Sequence, residues 1–134
     1  MGKTRARTAA VGITLDTGAL IALDRGDKRM IALLDQALAQ RCTFRVPSGV
    51  LGQAWRDGRV QAILARFLRA EEVEIVPLDE QLARSCGELC GATNTSDLID
   101  ASVVILARER RDTIVTSHPD DLQRLDPAAV ILPV

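Results

Sequence analysis

Short apolar runs separated by stretches of helical periodicity constrain this chain more than any other feature of its sequence. "AVGITL" (10–15), "CTFRVP" (42–47), "VEIVPL" (73–78) and "TIVTS" (113–117) are the runs, and "AAVILPV" closes the chain at 128–134. Each is too short for a helix and lacks strict alternation, so each reads as a strand covered on both faces. Strands in that arrangement need a helix between each pair, which predicts an α/β architecture: a parallel sheet of four to five strands between two helical layers.

The intervening segments carry helical spacing. "TGALIALDRGD" ends at Gly26, and "KRMIALLDQALAQ" (28–40) places Met30, Ile31, Leu34 and Leu38 on one side. "SGVLGQAWRDGRVQAILARFLRA" reads as two helical stretches broken near Asp57 and Gly58, the second with Val60, Ile63, Leu64, Phe67 and Leu68 on one face. "DEQLARSCGELCG" is expected to be capped by Asp79 and stopped by Gly91. "TSDLIDASVVILARERR" predicts a long helix, apolar nearly all round from Leu98 to Ala107 and therefore interior; "PDDLQRL" is a short helix with Pro119 at its start.

A chain of 134 residues is one domain, able to bury roughly two-thirds of its unfolded surface. Residues 1–10, "MGKTRARTAA", read as a basic tail without the apolar run of a secretory signal, and 11–134 as the domain. A cytoplasmic protein without a membrane segment is the expectation. The formal net charge of -1 excludes nucleic-acid binding by overall charge, so any such binding must use a local patch. Cys42, Cys86 and Cys90 are an odd set without disulfide spacing; they suit buried thiols better than a zinc site, which would have to recruit Cys42 or His118 to the Cys86–Cys90 pair.

In parallel sheets functional groups collect beyond the carboxyl ends of the strands, where the strand order reverses. Asp16 follows the first strand and His118, the one histidine, follows the fourth. Asp16 has an ordinary role open to it as a helix cap. Asp97 sits at a helix start, where Thr95 or Ser96 is the expected cap. Asp100 shares a stripe with Val103, Val104 and Ala107, on the face due for burial. A bare carboxylate there costs several kcal/mol unless a cation pairs with it, and Asp97 at i–3 adds repulsion. The cation is an arginine or a metal; three carboxylates aimed at one point suit a hard divalent ion.

Four blocks, "LDTGALIALD", "VPSGVLGQAWRDG", "TSDLIDASVVILAR" and "IVTSHPDDLQRL", resemble in order the signature blocks of PIN domains, in particular VapC-type toxins of bacterial toxin–antitoxin pairs. The resemblance spans nearly the whole chain. It implies strand order 3-2-1-4-5, Mg²⁺- or Mn²⁺-dependent endoribonuclease activity on RNA, and a cognate antitoxin. It also assigns residues: Asp16 as the acid after the first strand, Asp100 as the acid of the long helix, and Asp97 as an additional acid one turn earlier, these three holding the metal. Gln53 stands where a glutamate is expected and His118 where an acid is expected. His118 either ligates the metal or, as an imidazolium, replaces it, and Asp120 or Asp121 is a candidate substitute acid.

Two functions follow as alternatives: a ribonuclease with an altered site, or a PIN domain that binds RNA or an antitoxin without cleaving. A flavodoxin-like or receiver-type domain shares the sheet but lacks its expected helper residues. Trp55 and Arg56 are candidate RNA contacts beside Gln53. The apolar content of helices 28–40 and 60–70 suggests a homodimer.

Overall fold

The structure, a computed structural model, describes residues 11–134; the expected basic tail of residues 1–10 lies outside the described residues. Strands β1 (Gly12–Leu15), β2 (Thr43–Pro47), β3 (Val73–Val76), β4 (Thr113–Thr116) and β5 (Ile131–Pro133) form one parallel sheet in the order β3-β2-β1-β4-β5. Among the described residues seven helices flank it: α1 (Thr17–Asp24), α2 (Lys28–Ala39), α3 (Ser48–Ala54), α4 (Ala62–Leu68), α5 (Glu80–Thr93), α6 (Leu98–Arg110) and α7 (Pro119–Leu125). The order is the expected one, and it reverses between β1 and β4. The carboxyl ends of these two central strands are therefore neighbours, with Leu15 in register with Val115.

The main core lies around the sheet and includes Leu15, Leu20, Met30, Phe44, Val46 and Ile114, all essentially inaccessible to solvent. Phe44 and Phe67 meet edge to face at 5.4 Å between ring centroids, which ties α4 to β2. A smaller cluster of Leu82, Cys86, Cys90, Ala101 and Ile105 joins α5 to α6. Every residue of α6 from Ala101 to Ala107 is buried, so this helix is interior as its all-round apolarity predicts. Cys42 packs in the main cluster while Cys86 and Cys90 pack in the smaller one, so the three thiols do not form a common site.

Two sequence expectations need correction. Helix α5 runs through Gly91 and ends at Asn94, which adopts the left-handed conformation at φ 59° and ψ 45°; asparagine tolerates that conformation, and a glycine within a well-packed helix need not end it. Helix α4 begins only at Ala62, leaving Val60 outside it and 78% exposed, and Ile63 is exposed as well. The cause is Gln61: its Oε1 accepts the N–H groups of Arg56 and Asp57 at 2.7 and 2.9 Å, and its Nε2 donates to Ala54 O at 2.9 Å. This side chain organises the loop 55–61. Met30, Leu34 and Ala37 of α2 are buried, and Ile31 and Leu38 pack against the core.

The sheet is also less uniformly apolar than its runs imply. Thr14, Arg45 and Glu74 are in register across β1, β2 and β3. Arg45 Nη1 donates to both oxygens of buried Asp112 at 2.7 and 2.9 Å, and Thr14 Oγ1 donates to Asp112 Oδ2 at 2.8 Å. Gly12 has to be glycine, because a Cβ there would stand 2.0 Å from Asp112 Oδ1 and 2.4 Å from Arg45 Nη1. Removing one partner from a buried pair strands the other's charge. We expect Asp112→Ala to lower unfolding stability by about 3 kcal/mol in urea titrations; a loss below about 1 kcal/mol, the range of an exposed pair, would contradict this.

Candidate functional site

The site begins at the reversal of strand order. Asp16 N donates to Val115 O at 3.3 Å, continuing the β1–β4 ladder by one residue. The chain then turns into α1, and Asp16 caps that helix, with Oδ1 accepting Ala19 N–H at 2.8 Å. Its other oxygen, Oδ2, accepts the hydroxyl of Thr116, which is fully buried at the end of β4. Both carboxylate oxygens of Asp16 are thus held by the scaffold, one from its own helix and one from the adjacent strand. Asp16 is only 4% exposed, and burial raises its pKa; the hydrogen bonds from Thr116 and Ala19 and the nearby His118 pull it back only in part.

Helix α6 brings the second acid. Asp97 is itself the cap, its Oδ1 accepting Asp100 N–H at 2.9 Å, so neither Thr95 nor Ser96 fills that role; Thr95 Oγ1 instead accepts the Asp97 N–H at 3.4 Å. Asp100, in the first turn, is half-buried. Its pKa is pushed up to about 6, chiefly by burial and then by the charges of Asp97, Asp16 and Asp121. The three expected acids therefore share one neighbourhood. They do not aim at one point, however, because the Asp97 carboxylate turns back onto its own helix. Among the described residues, no three Asp, Glu, His or Cys side chains are grouped so as to hold a metal ion as they stand. Nor does any arginine or lysine pair with Asp16, Asp97 or Asp100 among the described residues.

Gln53, on α3, accepts the hydroxyl of Thr17 through Oε1 at 2.6 Å. It thereby touches the residue that follows Asp16. Helix α3 reaches the start of α6 because Gly49 has no side chain: a Cβ there would come within 2.3 Å of Ile99 Cδ1. Gly18 does the same for the loop after β4, since its Cβ would overlap Ser117 Oγ at 1.9 Å. His118 is exposed, and its backbone N–H donates to Thr116 Oγ1 at 2.8 Å. Among the described residues its ring makes no hydrogen bond or ion pair with either aspartate. Its charge is felt at Asp16 as a minor influence, so it neither caps the acids nor replaces a cation by direct contact.

Beside these acids lies a cleft of about 380 Å³ lined by Thr93, Asn94, Thr95, Asp97, Asp100, Asp121, Arg124 and Leu125. Asp121, not Asp120, is on this wall. Trp55 and Arg56 lie elsewhere: the Trp55 ring covers Gly58, whose Cβ would come within 2.7 Å of it, and Arg56 Nη1 donates to the carbonyls of Gly52 and Trp55 at 3.0 and 2.6 Å. Thr116 and Thr17 were not singled out in the sequence, where a threonine at a strand end reads as an ordinary β-branched residue. The one available signal was a hydroxyl in a run otherwise due for burial.

The raised carboxyl pKa values have a stability consequence. Asp100 binds its proton more tightly in the folded state (about 6) than the reference carboxyl does (3.8), so its contribution is complete below the reference value and is lost as pH rises through about 6. Asp16 acts in the same direction. For protein stripped of divalent ions, we expect the melting temperature to fall between pH 4 and pH 6.5, and Asp100→Asn to flatten that fall. An equal slope in the variant would contradict the assignment.

A PIN domain family model matches residues 13–127. No curated protein matches the chain in sequence. Among solved structures, VapBC2 of Rickettsia felis, bound to a fragment of its promoter DNA, aligns with a TM-score of 0.68 at 19% identity, covering 92% of this chain and 99% of the other. FitAcB of Neisseria gonorrhoeae aligns at 0.62 and 16%, covering 90% and 96%. VapC20 of Mycobacterium tuberculosis, described as a toxin that cleaves the sarcin–ricin loop, aligns at 0.59 and 17%, covering 76% and 86%. At these identities the structural likeness is one of fold. The family match, which covers most of the chain, decides the membership: the protein belongs to the PIN domain family.

Proposed function

We propose that the protein is a divalent-metal-dependent endoribonuclease of the VapC toxin type, restrained by an antitoxin partner. The observation that carries this reading is the pair Asp16 and Asp100, two acids held near each other at the β1–β4 switch, with Asp97 beside them and no basic side chain paired to any of the three among the described residues. The solved neighbours support it, since they include a VapBC pair and a toxin described as cleaving.

The residues fit such an ion in charge and in chemistry. The donors are carboxylate oxygens, which suit Mg²⁺ or Mn²⁺, and the cysteines that would suit zinc are packed elsewhere. They fit a hydrated ion and not a closed protein cage, because Mg²⁺ commonly takes one or two carboxylates and keeps its waters. Asp16 and Asp100 would hold it, with Asp97 adding charge from one helical turn away. When bound, the ion activates a water and stabilises the leaving oxygen of a phosphodiester.

The chain's own residues set the conditions. Thr116 and Ala19 fix the orientation of Asp16; Gln53 holds Thr17 and with it the turn that carries Asp16. The N-termini of α1 and α6 lie next to the acids they carry and favour the ionised forms. Asp100 takes up a proton below about pH 6, and that proton competes with the ion. His118 contributes no carboxylate at its position. An antitoxin that masks the site belongs to this reading, and self-association would use exposed Val60 and Ile63, since α2 is spent on the core.

We expect purified protein to cleave RNA with Mn²⁺ or Mg²⁺, at a rate that rises with pH through about 6. Asp100→Asn and Asp16→Asn should each reduce the rate on the order of 100-fold. Absence of metal-dependent cleavage in the wild type, with cleavage appearing in the double variant Gln53→Glu, His118→Asp, would favour the non-cleaving RNA- or antitoxin-binding module instead.

A further inference from the structure

The charge of the chain is nearly balanced, but it is not evenly spread. From Ser48 to Ala70 the arginines Arg56, Arg59, Arg66 and Arg69 face a single carboxylate, Asp57, and all of these arginines are exposed. Asp57 is taken by Arg59 at 3.1 Å, and Arg56 Nη1 folds back onto the carbonyls at the end of α3. Arg66 and Arg69 have no ion pair among the described residues. Between α3 and α4 the same stretch encloses a groove of about 380 Å³ whose walls include Leu51, Trp55, Ala65, Leu68 and Arg69. Trp55 is 36% exposed there, with its ring resting on Gly58. The groove is therefore apolar inside and basic at its rim.

An exposed aromatic ring beside unpaired basic side chains suits an anionic chain that carries flat rings: the bases stack and the phosphates meet the arginines. Helix α3 also connects the groove to the acids. Gln53, two residues before Trp55, holds Thr17 next to Asp16, and a helix of this length is only about 10 Å long. Resting on the nuclease reading above, we propose that the α3–α4 groove is a second contact for single-stranded RNA, in which a base outside the cleavage position stacks on Trp55 while Arg66 and Arg69 hold the flanking phosphates. The groove lies outside the cleft beside Asp97 and Asp100, so it acts by positioning the strand across the acids and favours long RNA over short.

Trp55 is its own reporter, because the chain has no other tryptophan and no tyrosine. Titration of the full chain in EDTA with an oligouridylate of about twelve nucleotides should quench the indole emission, and a uridine dinucleotide should quench it far less. By anisotropy of the labelled oligouridylate, Trp55→Ala should weaken binding about 10-fold and Trp55→Phe should restore most of it. Arg66→Gln combined with Arg69→Gln should lower the slope of log affinity against log salt by about 1.4, with circular dichroism melts confirming that each variant folds. No quenching by the oligouridylate, or unchanged binding in both Trp55→Ala and the arginine double variant, would overturn the groove as an RNA contact and leave the nuclease reading standing. Quenching only by an acidic, leucine-containing peptide would overturn it in favour of a protein partner. Quenching with the expected losses, in a protein that cleaves no RNA with Mn²⁺, would uphold the groove and overturn the nuclease reading.

Discussion

The hydrogen bond from the Thr116 hydroxyl to Asp16 Oδ2 joins the ends of the two central strands, and the arrangement of the site depends on it. It can form only because β1 and β4 are adjacent and parallel, with Leu15 in register with Val115, so that the chain leaves both strands at the same edge. The same threonine oxygen accepts the His118 N–H, which sets the course of the chain into α7. One buried hydroxyl therefore positions the first acid and starts the helix that carries Asp121. Gly18 allows the approach by leaving room for Ser117, and Gly49 allows α3 to close on α6 from the other side.

The geometry works against stability. Burial and mutual repulsion hold Asp100 at about 6, and burial raises Asp16, so the folded state carries carboxylates it would rather protonate. Elsewhere the protein treats buried charge differently: Asp112 is matched by Arg45 and Thr14 with every distance below 3 Å. The same chain thus has one buried acid that is paired and a group of acids that is not. Strain of this kind collects where a ligand is expected to relieve it.

Much of this was legible in the sequence. The strand and helix order followed from short apolar runs separated by helical spacing, and Asp16, Asp97 and Asp100, singled out from their positions at a strand end and on one helix, are neighbours in the fold. What was not legible depended on partners distant in the chain. Asp97 could be placed at the start of α6, but whether it or Ser96 capped the helix turned on backbone angles at a single residue. Val60 fits the apolar stripe of α4, yet Gln61 delays the start of that helix to Ala62 by holding the loop before it. Asp120 and Asp121 are equivalent in sequence; only the burial of Leu122 and Leu125 decides which one faces the cleft. Arg45 and Asp112, 67 positions apart, gave no local sign of their pairing.

The central claim is that the acids at the β1–β4 switch form a cation site and that His118 does not occupy it. Anomalous diffraction from crystals soaked in Mn²⁺ tests this most directly. The account predicts a single strong peak between the carboxylates of Asp16 and Asp100, with the His118 ring directed away from it. The absence of a peak there, with a His118 ring nitrogen bonded to either carboxylate, would contradict it.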